Sequence, residues 1–219
     1  GNIMSSLNDI MSWDTILTQP EMKDIEQICS RARWQWGATS DHTAPHKKFW
    51  KMDVRGHAIF DNDIPEKIKI LVPFEHEILD YYVNGHTRGL DGYTHKDEAD
   101  YTFIVFCNPV WDIMWGGKTM FVQDDGKFDC VFPKPGSALC FPSDILHCAE
   151  DTSREFYGIR VSAAYKLKKI ENKIFEQNCY YRDQMYEVSK EIVRLRHAFE
   201  LEISSIYKSK SWRITAPLR

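Results

Sequence analysis

The sequence predicts a mainly β protein with helices: an antiparallel sandwich or barrel behind an N-terminal helical stretch, followed by one long C-terminal helix. Three observations predict it. Between Tyr93 and Tyr165 the chain runs in short β-rich segments separated by turn residues. Ahead of that region, apolar residues recur at helical spacing. Behind it, Ile170, Ile174, Tyr181, Met185, Val188, Ile192, Leu195, Phe199, Ile203 and Ile206 follow mostly three- and four-residue steps with no Gly or Pro between them.

From Ser5 to about Gly37, Thr18-Gln19-Pro20-Glu21 marks a helix start, and Met22, Ile25, Ile28 and Cys29 form one apolar face that covers a sheet. The polar stretch Thr39 to Lys51 reads as a loop, and Val54 to Phe60 as a short strand. Pro65 opens a second helix toward Tyr82, kinked at Pro73. The β-rich runs are Tyr101 to Cys107, Lys118 to Val122, Phe128 to Phe132, Ser137 to Phe141 and Tyr157 to Tyr165. Asn108-Pro109, Gly116-Gly117, Asp124-Asp125-Gly126 and Pro133-Lys134-Pro135-Gly136 supply the breaks. A helix of about 40 residues reaches roughly 60 Å, too long to lie flat on a small domain. Part of it is therefore expected to project and pair in a coiled coil; the second reading is one amphipathic helix packed back on its own domain.

With 219 residues, 43 % hydrophobic and 27 % charged, the chain has a globular composition and enough length for a real core. A net charge of -4 offers no positive field for nucleic acid. The six cysteines (Cys29, Cys107, Cys130, Cys140, Cys148 and Cys179) contain no C-x-x-C pair and read as buried thiols. No signal-like leader and no long apolar run is visible, so a reducing, cytoplasmic location without a membrane span is expected.

Two spacings imitate known sites. Gly117-Lys118-Thr119 ends like a phosphate-binding loop, but that loop needs a glycine where Asp112 stands and a helix after it. His42 and His46 have the i, i+4 spacing of helical metal ligands, with Pro45 breaking any helix between them. The stronger constellation is His95-Lys96-Asp97 with His147. Strand alternation points residues 95 and 97 to one side, and His147 arrives from a later strand. Two imidazoles and one carboxylate on one face of an octahedron suit Fe(II) and leave the other face open. With eight histidines and 32 carboxylates, chance alone supplies about one H-x-[DE], so the motif needs company. Arg160 and Ser162 provide it, alternating inward on an apolar strand where a guanidinium calls for an anionic partner, either a ligand or an internal acid.

These residues resemble a family. Gly92-Tyr93-Thr94-His95-Lys96-Asp97, Tyr101 to Pro109, Trp115-Gly116-Gly117-Lys118-Thr119, Pro133-Lys134-Pro135-Gly136, His147 and Tyr157-Gly158-Ile159-Arg160 follow the order seen in the Fe(II)- and 2-oxoglutarate-dependent oxygenases, especially the prolyl-4-hydroxylase-like branch. The resemblance implies a double-stranded β-helix, or jelly roll, buttressed by the N-terminal helices. His95, Asp97 and His147 would be the catalytic metal ligands. The distal carboxylate of 2-oxoglutarate would pair with Arg160, with Ser162 adding a hydrogen bond. Iron, O2 and the cosubstrate then hydroxylate an unactivated C–H bond. An intact Asp97 favours hydroxylation over halogenation. Some prolyl hydroxylases hold the distal carboxylate with a tyrosine hydroxyl; Phe106 stands there, so Tyr93, Thr102 or Thr119 is expected to compensate.

The segment Ser209 to Arg219 is similar to a tail of bacterial glycosyltransferases of surface polysaccharide synthesis. That resemblance suggests a sugar, sugar nucleotide or glycan intermediate as substrate. The expected organisation is an oxygenase domain over 1–166, a helix over 167–208 that could form a homo-oligomer, and a tail over 209–219. The competing readings are a prolyl or other protein side-chain hydroxylase, a metal-dependent hydrolase or cupin-like enzyme, and a non-catalytic jelly-roll scaffold.

Overall fold

The computed structural model describes residues 5–31, 33–123, 125–170 and 179–208. The tail, and Ile174 of the helical pattern, lie outside the described residues. Among the described residues, ten strands and three α-helices follow in the order β1 (Met11–Trp13), α1 (Gln19–Arg31), β2 (Gln35–Thr39), β3 (Lys48–Met52), α2 (Ile64–Leu71), β4 (His76–His86), β5 (Tyr101–Phe106), β6 (Thr119–Val122), β7 (Phe128–Val131), β8 (Ala138–Pro142), β9 (Leu146–Ala149), β10 (Arg160–Lys169) and α3 (Cys179–Lys208). All pairings are antiparallel. A major sheet runs β1-β8-β5-β10-β4-β3-β2 and a minor sheet β7-β6-β9. The expected jelly roll is what the chain forms.

Alternation along the central strands divides the major sheet into two chemically distinct faces. Val83, Phe103, Val105, Val161, Ala163, Tyr165 and Leu167 point outward and join Met22 and Ile25 of α1, Ile64, Ile68 and Leu71 of α2, and Ile59 and Phe60 in the main core. The buried Tyr165 hydroxyl donates to the Phe60 carbonyl at 3.0 Å, which removes the cost of an unsatisfied polar atom there. Residues 82, 84, 86, 160, 162, 164 and 166 point the other way, toward the minor sheet. Helices thus seal one face and leave the other for the site.

Thr18 and Glu21 form a reciprocal N-terminal cap of α1: the Thr18 N–H donates to Glu21 Oε2 at 2.7 Å, and the Glu21 N–H to Thr18 Oγ1 at 3.4 Å. Lys67 of α2 donates to the same glutamate at 3.2 Å, tying the two helices together. The second helix does not kink at Pro73. It ends at Leu71, because proline disfavours helical backbone in the residue before it, and the chain continues as β4. Strand β4 crosses the sheet closely beneath Trp34: a Cβ on Gly85 would stand 2.7 Å from that ring, so glycine is required by contact.

Other expectations change as well. The polar stretch Thr39 to Lys51 contains part of β3, paired with β4, where one strand face can be polar because it lines a cavity. Val54 to Phe60 is not a strand; Ile59–Asp63 is a π-helical turn leading into α2. Ser5 to Gly37 holds one helix, with β1 before it. The last strand starts at Arg160 rather than Tyr157, and continues to Lys169, so residues 167–169 are strand rather than helix. Cys130 is exposed, unlike Cys107 and Cys140.

Helix α3 packs one side on its own domain, as the second reading of its pattern has it. Tyr186 meets Trp13 edge-on at 6.4 Å, Ser189 is buried and Val193 packs on the main core, so one side lies on the domain. Val188, Ile192, Leu195 and Phe199 are exposed. No helix among the described residues is long and apolar enough to cross a membrane.

Candidate metal centre

His95, Asp97 and His147 converge between the two sheets. His147 sits on β9, whereas His95 lies on an extended segment outside the named strands, locked to β9 by a reciprocal backbone pair: His95 N–H to His147 O and His147 N–H to His95 O, both 3.0 Å. The neighbouring Gly92 N–H donates to Ala149 O at 2.8 Å, continuing that pairing. Asp97 lies two residues on, its N–H donating to Ser143 O at 2.9 Å. The ligand segment is thus held by a one-residue bridge rather than by the regular strand that the sequence spacing suggests.

The ring chemistry suits a metal. His95 Nδ1 lies 2.7 Å from Tyr93 O and His147 Nδ1 2.9 Å from Ile145 O. A carbonyl only accepts, so both Nδ1 atoms carry a proton, which leaves Nε2 of each ring as the atom that could take a metal. Those Nε2 atoms face opposite oxygens of one carboxylate: His95 to Asp97 Oδ1 and His147 to Asp97 Oδ2, each 3.4 Å. One ligand atom from each residue falls within 4.8 Å of the others. Ligands at about 2.1 Å on adjacent octahedral positions stand about 3 Å apart, so the spacing fits one small divalent ion.

Electrostatics favour the binding forms of Asp97 and His147. Burial would raise the Asp97 pKa, but His147, His95 and Lys166 outweigh it and keep the carboxyl well below the usual range. Burial lowers the His147 pKa despite the facing carboxylate, favouring the neutral imidazole. Asp97 Oδ2 is also held by the Thr102 hydroxyl at 2.6 Å and by the Lys166 ammonium. Such outer partners orient a ligand and tune its charge.

The second element is Arg160. Its side chain is only 2 % exposed, and its donors reach Gly117 O at 2.6 Å, Thr119 Oγ1 at 3.2 Å and Ser162 Oγ at 3.4 Å. All three are neutral. Glu150 acts on it from a distance, but its Oε2 accepts from the Lys118 N–H at 3.1 Å. Burial pushes the guanidinium down to about 10, still charged at neutral pH. Gly117, at positive φ, leaves room for it: a Cβ there would lie 2.9 Å from Trp111 and 3.1 Å from Arg160 Cδ. A buried cation without an acidic contact is costly, and a planar fork is matched to a carboxylate.

Both elements open on one cavity of about 390 Å³. In it, His86 Nδ1 and Asn84 Oδ1 are buried without a hydrogen-bond partner, so the cavity presents polar groups that a ligand can satisfy.

No family model matches the chain, and no curated relative matches it in sequence. Solved structures do. A prolyl-4-hydroxylase of Pseudomonas putida is 13 % identical with a TM-score of 0.55, covering 72 % of this chain and 92 % of that one. HygX of Streptomyces hygroscopicus, with nickel and 2-oxoglutarate bound, is 11 % identical with a TM-score of 0.56 over 74 % of this chain and 83 % of its own. A Trichoplax adhaerens prolyl hydroxylase in complex with a peptide fragment of the hypoxia-inducible factor is 15 % identical, with a TM-score of 0.54, over 74 % and 84 %. The chain has the fold of these oxygenases.

Within that oxygenase fold, the residues expected to replace a tyrosine hydroxyl separate. Thr119 reaches Arg160, whereas Thr102 lies at Asp97 and serves the metal side. Tyr93 is exposed and contributes its carbonyl to His95 rather than a hydroxyl to the cavity. Phe106 lies under the guanidinium, 5.6 Å from its central carbon. His86, Asn84 and Lys51 were not apparent as site residues, because β3 and most of β4 read as loop and helix; Lys166 was missed because the expected strand stopped at Tyr165. Lys166 had a signal: it continues the two-residue register of Arg160, Ser162 and Ala164.

His86 yields a pH prediction. Burial and Arg160 push its pKa down to about 3, partly opposed by Asp91, and it stacks on Phe49 at 5.0 Å. The folded state therefore resists a proton that the unfolded chain accepts near 6.5. Stability from this group is present above that pH and is lost as pH falls toward 3, by about 1.4 kcal/mol per unit. Between pH 6.5 and 5 the wild type is expected to lose about 2 kcal/mol more than a His86→Phe variant. Urea unfolding at the two pH values checks this; equal losses refute it.

Proposed function

We propose that the protein is an Fe(II)- and 2-oxoglutarate-dependent dioxygenase that hydroxylates an unactivated C–H bond. The observation that carries the reading is the pairing, in one cavity, of a two-imidazole, one-carboxylate cluster with a buried arginine that has no acidic contact among the described residues. The oxygenase fold supports it.

His95, Asp97 and His147 would hold the iron through Nε2, a carboxylate oxygen and Nε2. Arg160, with Thr119 and Ser162, would grip the far carboxylate of 2-oxoglutarate and so fix the cosubstrate's direction. Bound together, iron and 2-oxoglutarate supply a C–H oxidant from O2: one oxygen atom enters the product and the other enters succinate, with release of CO2. Thr102 and Lys166 keep Asp97 oriented and charged, and the sheets exclude water from the reacting centre.

For the substrate we propose a sugar, sugar nucleotide or glycan intermediate; the tail resemblance supports this reading. The alternative, a prolyl or other protein side chain, has the peptide-bound neighbour in its favour. The test is CO2 release from carboxyl-labelled 2-oxoglutarate with Fe(II) and O2, across panels of sugar nucleotides and peptides. Stimulation by a sugar compound with formation of its hydroxylated product is expected. Stimulation by peptides alone would replace the substrate, and absence of iron-dependent turnover would remove the activity.

The exposed apolar stripe on α3 supports pairing with a second copy. Light scattering should give a dimer or larger oligomer that a Leu195→Glu, Phe199→Glu double variant dissociates; a monomeric wild type rejects the idea.

A further inference from the structure

The cavity holds more positive charge than iron and a dicarboxylate need. Three cations line it, Lys51, Arg160 and Lys166, and Asp97 is the only carboxylate among its described lining residues. Iron brings two positive charges and 2-oxoglutarate two negative ones, so loading the site leaves the balance unchanged. Asp97 offsets one cation. Two positive charges remain in a cavity between the two sheets, where such a surplus attracts an anion.

The geometry places this surplus away from Arg160. Lys166 lies six residues along the same strand face and touches Asp97 and, at 3.3 Å, Thr102. Lys51 comes from β3, opposite Asn84, and lays its ammonium 3.6 Å from the Tyr82 ring centroid. It has no carboxylate within ion-pair distance among the described residues. Lys51 and Lys166 repel one another across the cavity. The register of β10 with β4 slips between Lys166 and Leu167, and the residue passed over, Leu79, is exposed. A bulge of this kind re-aims the side chains beside it.

We infer that the substrate carries an anionic group, phosphate or carboxylate, held by Lys51 and Lys166 on the side of the metal centre opposite Arg160. The inference rests on the oxygenase reading and narrows its substrate class: an uncharged sugar or a neutral prolyl peptide would leave Lys51 without a counter-charge and Lys166 with only the Asp97 carboxylate it shares with the histidines. Lys51 is the specificity-determining residue, because Lys166 already shares Asp97. An aromatic ring beneath the ammonium holds it in place without neutralising it.

The test uses the full chain loaded with Ni(II) and saturating 2-oxoglutarate, titrated calorimetrically with inorganic phosphate, malonate, glucose 1-phosphate and glucose. Glucose 1-phosphate is expected to bind at least about tenfold more tightly than glucose. Lys51→Met should lose that advantage, and Lys51→Arg should keep it. The affinity for 2-oxoglutarate, titrated separately, serves as the folding control for both variants. Phosphate binding without malonate binding assigns a phosphoryl substrate; the reverse assigns a carboxylate. Equal binding of glucose and glucose 1-phosphate together with no malonate binding, no binding of any anion, or an anion affinity undiminished in Lys51→Met overturns the proposal. Loss of 2-oxoglutarate binding in the wild type with phosphate binding intact would instead remove the oxygenase reading and keep the anion site.

Discussion

Replacing Asp97 with alanine is expected to abolish iron-dependent succinate formation. Removing partners that merely orient a metal ligand costs 10–100-fold in metal affinity or activity, so losing the sole anionic ligand should weaken metal binding by more than about 100-fold. The two imidazoles would remain, held to Tyr93 O and Ile145 O, but a neutral pair lacks the charge that selects a hard divalent ion in a buried site. The substitution also strips Lys166 of its carboxylate. An ammonium left unpaired is costly, and burial already lowers the Lys166 pKa, so part of the cost is relieved by loss of its proton. Asp97→Asn separates the two effects. It keeps an oxygen for the Thr102 hydroxyl and similar volume, yet removes the charge. Metal titration and succinate release, with circular dichroism as the folding check, decide the matter; either variant turning over at the wild-type rate would remove the triad assignment.

The residues of the candidate site were legible because their spacing and order survive in one dimension: two positions apart for His95 and Asp97, a later strand for His147, and an alternating Arg160 and Ser162. The surroundings were less legible for a physical reason. Strands β3 and β4 line a polar cavity, so their inward positions carry Lys51, Tyr82, Asn84 and His86 rather than the apolar residues that mark a half-buried strand. Without that alternation, Lys48–Met52 reads as loop. His76–His86 falls into the helical pattern begun by Ile64, Ile68 and Leu71, and only Pro73 signals the break. The outward face of the sheet was the readable one, since Val161, Ala163 and Tyr165 meet helices in a conventional core. Function and pattern therefore compete at the same positions: the residues that make the cavity useful are those that hide its strands. Thr102 shows the limit of assigning roles by strand alone. It lies on the expected strand and faces the cavity, but the register of β5 against β10 sets it opposite Lys166 rather than beside Arg160, so its hydroxyl reaches Asp97.

Arg160→Met should raise the dissociation constant for 2-oxoglutarate by about 30- to 5000-fold while leaving metal binding nearly intact. The range corresponds to about 2–5 kcal/mol for truncating one partner of a buried charge pair. The guanidinium touches none of the three metal ligands, and its contacts with Gly117, Thr119 and Ser162 are all to neutral oxygens. The empty protein should therefore tolerate the change far better than the loaded one. Methionine fills much of the volume beside Phe106 and Trp111, and it removes a charge that burial already disfavours, so the loss of three hydrogen bonds is offset in part. Arg160→Lys should fall between the two, because a single ammonium supplies charge without the planar fork. Calorimetric titration of 2-oxoglutarate into the Ni(II) form gives the constants, and thermal unfolding of the metal-free proteins gives the stability comparison. A methionine variant that binds within about threefold of wild type would show that the cosubstrate carboxylate lies elsewhere. Taken with Asp97→Ala, the experiment separates two losses that activity alone cannot: one variant should lose metal and the other should keep metal but lose the dicarboxylate. That separation is expected only if the two clusters are distinct binding elements within one cavity.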